Sequence, residues 1–136
     1  MAYKFESELY KPVMRYFKNK SFTSQKVEAE FFERRIDLYA FSKKLNKSVA
    51  VELKLSNWKK ALNQALIYQL CSDYVYLAMP VAAMNAIEVT KIKSYGVGII
   101  AVYESGFCKR ILPARKSKHV KKIYKGEIIS PERSLS

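Results

Sequence analysis

The chain has 136 residues, 49% of them apolar and 27% charged, which is enough for one domain with its own core and too few for two. Four glycines and four prolines exclude collagen-like and linker-dominated chains, and no window approaches the roughly 20 consecutive apolar residues of a membrane span. With 25 basic against 12 acidic side chains the formal charge is +13, a field that favours polyanions and points first to nucleic acid.

Phe5, Leu9, Val13, Tyr16 and Phe17 recur at three- and four-residue steps, which predicts a helix over residues 5–18 with one buried face. Pro12 lacks a backbone donor, so this helix either starts nearer Tyr10 or bends. A strand-like run covers residues 23–32. Residues 35–41 then alternate, with Ile36, Leu38 and Ala40 on one face and Arg35, Asp37, Tyr39 and Phe41 on the other. After a polar turn that carries Lys43, Lys44 and Lys47, residues 49–55 alternate again. Ala50, Glu52 and Lys54 share one side and Val49, Val51, Leu53 and Leu55 the other, so the two strands are predicted to pair as a hairpin.

Ser56 or Asn57 can cap a second helix that runs to about Leu70, with Trp58, Ala61, Leu62, Ala65 and Leu66 on one face. An apolar strand over 74–79 follows, and Pro80 opens a third helix that ends near Ser94. Residues 97–103 are apolar throughout, as in a strand buried on both faces, and the Glu104-Ser105-Gly106 turn leads into a last strand over 107–112. The order α-β-β-β-α-β-α-β-β predicts an α/β domain, a mixed sheet flanked by helices, over residues 1–113. Between Lys109 and Lys125 no acidic residue occurs, and residues 114–136, with Arg115, Lys116 and Lys118, read as a basic C-terminal arm.

Asp37, Glu52 and Lys54 carry the chemistry. One hairpin register sets Asp37 opposite Glu52 and another sets it opposite Lys54, and in both all three side chains leave the same face. Two carboxylates held that close repel, and Lys54 supplies a single compensating charge. A hard divalent ion such as Mg²⁺, or Mn²⁺ in its place, would complete the balance, polarise a phosphoryl oxygen and activate a water that Lys54 holds or helps deprotonate. The plainer alternative is a structural Asp/Glu/Lys grouping on a solvated sheet face. On the first helix, α-helical phase puts Glu6 with Leu9, Val13 and Phe17 on the buried arc and Glu8 to the side, which makes Glu6 the candidate acid. Gln64 and Tyr68, one turn apart on the second helix, can position a water or a phosphate, and Lys59 and Lys60 add phosphate affinity.

The arrangement of Glu6, Ile36-Asp37, Glu52-Leu53-Lys54 and Gln64-x-x-x-Tyr68 resembles the PD-(D/E)xK nuclease superfamily over most of the chain. Its size and basicity are similar to those of archaeal Holliday junction resolvases. The resemblance implies a restriction-endonuclease-like fold, metal binding by Asp37 and Glu52 with the Leu53 carbonyl, a catalytic Lys54 and Glu6 as accessory acid. It implies metal-dependent hydrolysis of DNA phosphodiester bonds. The proline of the superfamily's name, which its members often lack, is Ile36 here. The expected protein is an endonuclease of repair, recombination or restriction that works as a homodimer, because so small a domain covers few base pairs. Lys43, Lys44, Lys59, Lys60, Arg115, Lys116 and Lys118 are its candidate backbone contacts. A nucleic-acid-binding module that keeps the fold without catalysis is the alternative. Cys71 and Cys108 lie far apart with no metal-ligand spacing, and the chain opens without a signal-peptide pattern, so reduced thiols in a cytoplasm are expected.

Overall fold

Six strands pair in sequence order into one mixed sheet in the computed structural model, which describes residues 2–129. They are β1 (Ser24–Phe31), β2 (Arg34–Ser42), β3 (Lys47–Leu53), β4 (Tyr74–Pro80), β5 (Gly98–Val102) and β6 (Cys108–Leu112). β1, β2 and β3 form an antiparallel meander, β3, β4 and β5 run parallel, and β6 returns antiparallel to β5. Four α-helices pack on it: α1 (Tyr10–Lys18), α2 (Trp58–Ala65), α3 (Val89–Ser94) and α4 (Lys122–Ile129). The predicted α/β order is present, with α4 in addition.

Each predicted helix is shorter than its periodicity implied, for a local reason. Glu6–Leu9 is a 3-10 helix and α1 starts only at Tyr10, so Pro12 sits in the first turn, where a missing N–H costs nothing. The Glu8 carboxylate accepts from the N–H groups of Lys4 (2.7 Å) and Phe5 (2.8 Å), closing the N-terminal end. The second helix changes from α to 3-10 at Leu66–Leu70, and the segment after Pro80 divides into a 3-10 helix, Val81–Ala86, and α3. Asn57 caps α2 in the left-handed region (φ +59°), a conformation asparagine tolerates.

Two crossovers that step the same way across a sheet leave their helices on one face, because such crossovers keep one hand. Accordingly Trp58, Ala61, Leu62 and Ala65 of α2 and Ile92 of α3 share a core with Tyr39, Ala50, Val75, Leu77 and Ile99. The other face is left to α1 and the 3-10 turn before it, whose Leu9, Val13 and Phe17 meet Leu38, Val49, Val51, Ala78 and Ile100. β5, covered on both sides, is buried at every residue. Gly98 in this strand has no room for a side chain: a Cβ there would stand 2.6 Å from both Ala114 N and Leu112 O and would collide with the Tyr76 ring. Gly98→Ala is therefore expected to lower unfolding free energy by about 2 kcal/mol or more, measured by urea denaturation, since backbone cannot yield as a side-chain tip can.

The described part of the expected basic arm does not extend from the domain. β6 runs back along β5, so residues 114–121 cross the N-terminal end of the parallel strands. There Ser117 N–H donates to Asp73 O (2.7 Å) and Lys121 N–H to Leu70 O (2.8 Å). α4 then lays Tyr124 and Ile128 onto the α2-side core beside β1. Lys125 completes the docking through a 2.6 Å ion pair with the buried Asp73. Residues 130–136 lie outside the described residues. No described helix is long and apolar enough to cross a membrane.

Candidate active site

The β2–β3 ladder pairs Leu38 with Val51 and Tyr39 with Ala50, and the next step in that register sets Asp37 opposite Glu52. The ladder stops there because the Asp37 side chain takes a strand partner's role: its Oδ2 accepts from the Leu53 N–H at 2.8 Å. A residue's N–H and C=O leave a strand on the same edge, so the Leu53 carbonyl also faces the Asp37 side of β3. On the other side of Asp37, β1 interrupts its pairing at Glu28, which adopts φ +50°. Asp37 Oδ1 accepts from the Tyr10 hydroxyl at 3.5 Å.

Glu52, 6% exposed, projects from the same face and accepts from the Tyr68 hydroxyl at 2.8 Å. That hydroxyl also lies 3.2 Å from Arg35 O, and its one proton belongs to the shorter contact with the carboxylate. Lys54 follows β3, and its ammonium stands 3.8 Å from the Glu6 carboxylate. Glu6, Arg34, Arg35, Asp37, Glu52, Lys54, Gln64 and Tyr68 together line an open cleft of about 310 Å³. Gln64 Oε1 is buried there without a hydrogen-bond partner among the described residues.

Both carboxyls are held above their ordinary range. For Asp37 the main cause is burial, opposed by the Leu53 N–H and reinforced by Glu6. For Glu52 burial comes first and the Asp37 charge second; the Tyr68 hydrogen bond and Lys54 offset part of this, leaving the carboxyl pushed up to about 7. Tyr68 is itself raised, by burial and then by Glu52, and stays a proton donor. The cleft thus stores repulsion between two acids that one lysine does not cancel.

A solved structure of a protein of unknown function from Silicibacter pomeroyi is similar to this chain throughout. Its TM-score is 0.71 at 13% identity, over 99% of this chain and 90% of that one, a likeness of fold alone. No protein-family model matches the chain, and no curated protein does.

All six side chains expected at the site, Glu6, Asp37, Glu52, Lys54, Gln64 and Tyr68, reach the cleft, but Glu6 does so differently from expectation. The α-helical phase put it on a buried arc; in the 3-10 turn its side chain is 46% exposed and pairs with Lys54. Glu8 is committed to the chain end, so Glu6 is the acid at the cleft. Arg34, Arg35 and Tyr10 were not anticipated. Alternation places Arg35 on the Asp37 face, and that parity is its signal in the sequence.

The expected backbone-contact lysines do not gather around the cleft. Lys60 lies one α2 turn before Gln64, and Lys59 sits beside it over the Trp58 ring (5.7 Å). Lys43 and Lys44, in contrast, occupy the far end of the hairpin, six residues or roughly 20 Å of strand from Asp37. Arg115, Lys116 and Lys118 lie at that same end, because β6 carries the chain back there. Arg115 spends its guanidinium on the carbonyls of Lys93 and Ser94, each at 3.3 Å.

Among the described residues no three His, Cys, Asp or Glu side chains stand together as a metal cluster. The acceptors that do converge are the two carboxylates, the orphaned Gln64 amide oxygen and the edge on which the Leu53 carbonyl lies. An all-oxygen set with two carboxylates, Glu52 buried and Asp37 half-buried, fits a hard divalent cation that keeps several of its waters.

Proposed function

We propose that this protein is a Mg²⁺-dependent nuclease that hydrolyses DNA phosphodiester bonds, an endonuclease built on a restriction-endonuclease-like fold of the PD-(D/E)xK kind. One observation carries the reading: a buried and a half-buried carboxylate from adjacent strands, Glu52 and Asp37, line a single cleft with a lysine, a glutamine and two arginines in a chain of charge +13. Its oppositely charged partner, the DNA backbone, is drawn by the field of the whole domain. A cytoplasmic setting and a homodimer, which would bring two clefts to one duplex, belong to the same proposal.

Asp37, Glu52 and the Leu53 carbonyl would hold the ion. When bound, Mg²⁺ supplies positive charge to a phosphoryl oxygen and lowers the pKa of a water. The chain does the rest. Arg34 and Arg35, at the mouth, hold phosphate oxygens and keep the scissile group over the carboxylates. Lys54 offers its ammonium to the developing negative charge, and Glu6 positions that ammonium. Gln64, with an amide oxygen that no donor among the described residues satisfies, orients a water by accepting a hydrogen bond from it. Tyr68 fixes Glu52, and the Leu53 N–H fixes Asp37, so neither carboxylate must be ordered when substrate arrives.

The test is incubation of plasmid, linear and branched DNA with Mg²⁺ or Mn²⁺. Wild type is expected to cut at least one, and Asp37→Ala, Glu52→Ala and Lys54→Ala each to lose about 10²–10⁴-fold in rate. If wild type cuts none of them, or the variants cut equally well, the proposal fails. Salt-sensitive binding that survives all three substitutions would instead mark a non-catalytic binding module.

A further inference from the structure

A second recess, of about 540 Å³, lies between α1 and the turn that joins β5 to β6. Among the described residues four cations line it, Arg15 and Lys20 from the helical side and Lys109 and Arg110 from β6, and no carboxylate does. Arg15 can lie against the turn because Gly106, at φ +90°, has no side chain; a Cβ there would stand 3.0 Å from the guanidinium. Two aromatic rings complete the lining. Tyr16 lies under the Lys20 ammonium (5.1 Å to the ring centre), and Phe107 stands 62% exposed, braced by the Tyr103 ring at 5.6 Å.

We propose that this groove binds a single strand of DNA, its phosphates on the four cations and a base on the Phe107 ring. Uncompensated like charges gathered in a recess repel one another and are relieved by a polyanion. A large exposed aromatic ring among them adds what a phosphate alone does not need, a flat apolar surface for an unstacked base. Bases inside a duplex are not open to such stacking, so the ring selects a single strand over a double one. The inference rests on the nucleic-acid reading above and narrows its substrate. Glu6 and Arg15 belong to one continuous helical segment, and at about 2.0 Å per 3-10 residue and 1.5 Å per α residue they are roughly 15 Å apart, a distance that a few nucleotides of extended single strand cover. A strand held in the groove can therefore reach the cleft, which makes tailed or branched DNA the preferred substrate.

The test measures binding of a fluorescein-labelled 12-nucleotide single strand by anisotropy in EDTA, so that no cleavage enters. Phe107→Ala is expected to weaken binding about 5- to 150-fold with the salt dependence unchanged, and Phe107→Tyr to restore it. Lys109→Gln with Arg110→Gln is expected to weaken binding and to flatten the slope of log K against log salt by roughly 1.4. All three residues are exposed, and unchanged circular dichroism confirms that the variants fold. Unaltered single-strand affinity in either variant overturns the proposal. So does an equal loss of heparin binding in Phe107→Ala, which would reduce the groove to a general anion site. Cleavage that persists while single-strand binding ignores these substitutions would remove the groove and leave the nuclease; binding that follows them without any cleavage would do the reverse.

Discussion

Glu52→Gln is expected to make the metal-free protein more stable at pH 8, by on the order of 2 kcal/mol, while abolishing the proposed activity. The folded-state pKa of Glu52 is raised from 4.5 to about 7, chiefly by burial and then by Asp37. The folded chain therefore keeps a proton that the unfolded chain has already released. Between these two values wild-type stability falls as pH rises, and above about 7 the full penalty is present. Glutamine has no charge to bury, and its amide oxygen can still accept from Tyr68, so the variant escapes the penalty and keeps the bond. At pH 4 both forms are neutral and the difference is expected to vanish. Urea denaturation in EDTA across this pH range measures the effect. In parallel, Mn²⁺ is expected to raise the melting temperature of wild type at pH 8 and to leave that of the variant unmoved, since binding to the native state adds stability only where the ligands exist. A variant less stable than wild type at pH 8 would show that Lys54 and Tyr68 already outweigh the burial of this charge.

Lys125→Met is expected to cost about 3–5 kcal/mol at pH 7, the largest single loss of stability foreseen here. Burial alone would raise the Asp73 carboxyl, but Lys125 and Ser48 more than offset it and hold it below the usual range. Asp73, 4% exposed, accepts from Lys125 Nζ at 2.6 Å and from the Ser48 N–H and hydroxyl at 2.8 and 3.1 Å. With a depressed folded pKa, this contribution is fully present above about 3.8 and fades as pH drops through the lower folded value. Methionine keeps the stem's packing beside Phe41 but leaves a buried carboxylate short of its cation. The sign of the pH dependence then reverses, and stability falls with rising pH above about 4. Asp73→Asn in the same chain removes the stranded charge and is expected to recover most of the loss, so a double-mutant cycle by urea denaturation separates the ion pair from the packing of α4. Equal stability of wild type and Lys125→Met would show that α4 is held by Tyr124 and Ile128 alone.

The parity of the two hairpin strands was legible in the residues, because side chains alternate with period two whatever surrounds them. Asp37, Glu52 and Lys54 therefore had to share a face, whichever register was adopted. The choice of register was not legible, since both candidates bury the same apolar set; the observed Leu38–Val51 pairing made it, and with it the approach of Asp37 to Glu52. Gln64 and Tyr68 were found by helical spacing even though the helix tightens to 3-10 between them. Glu6 was selected by a phase argument that fails in a 3-10 turn, and it reaches the cleft for another reason, the company of Lys54.

The α/β order, the strands buried on both faces and the grouping of two acids with a lysine follow from local periodicity, which each segment carries within itself. Tertiary structure alone decided what depends on distant segments meeting. The lysine-rich stretch shows no strong period, yet Lys125 finds Asp73 across 52 residues and docks a helix. The return of β6 moves Arg115, Lys116 and Lys118 away from the cleft, and the same strand carries Lys109 and Arg110 to α1. Those outcomes turn on the direction in which each strand enters the sheet, a choice made by the packing of the whole core and written in no single window of the chain.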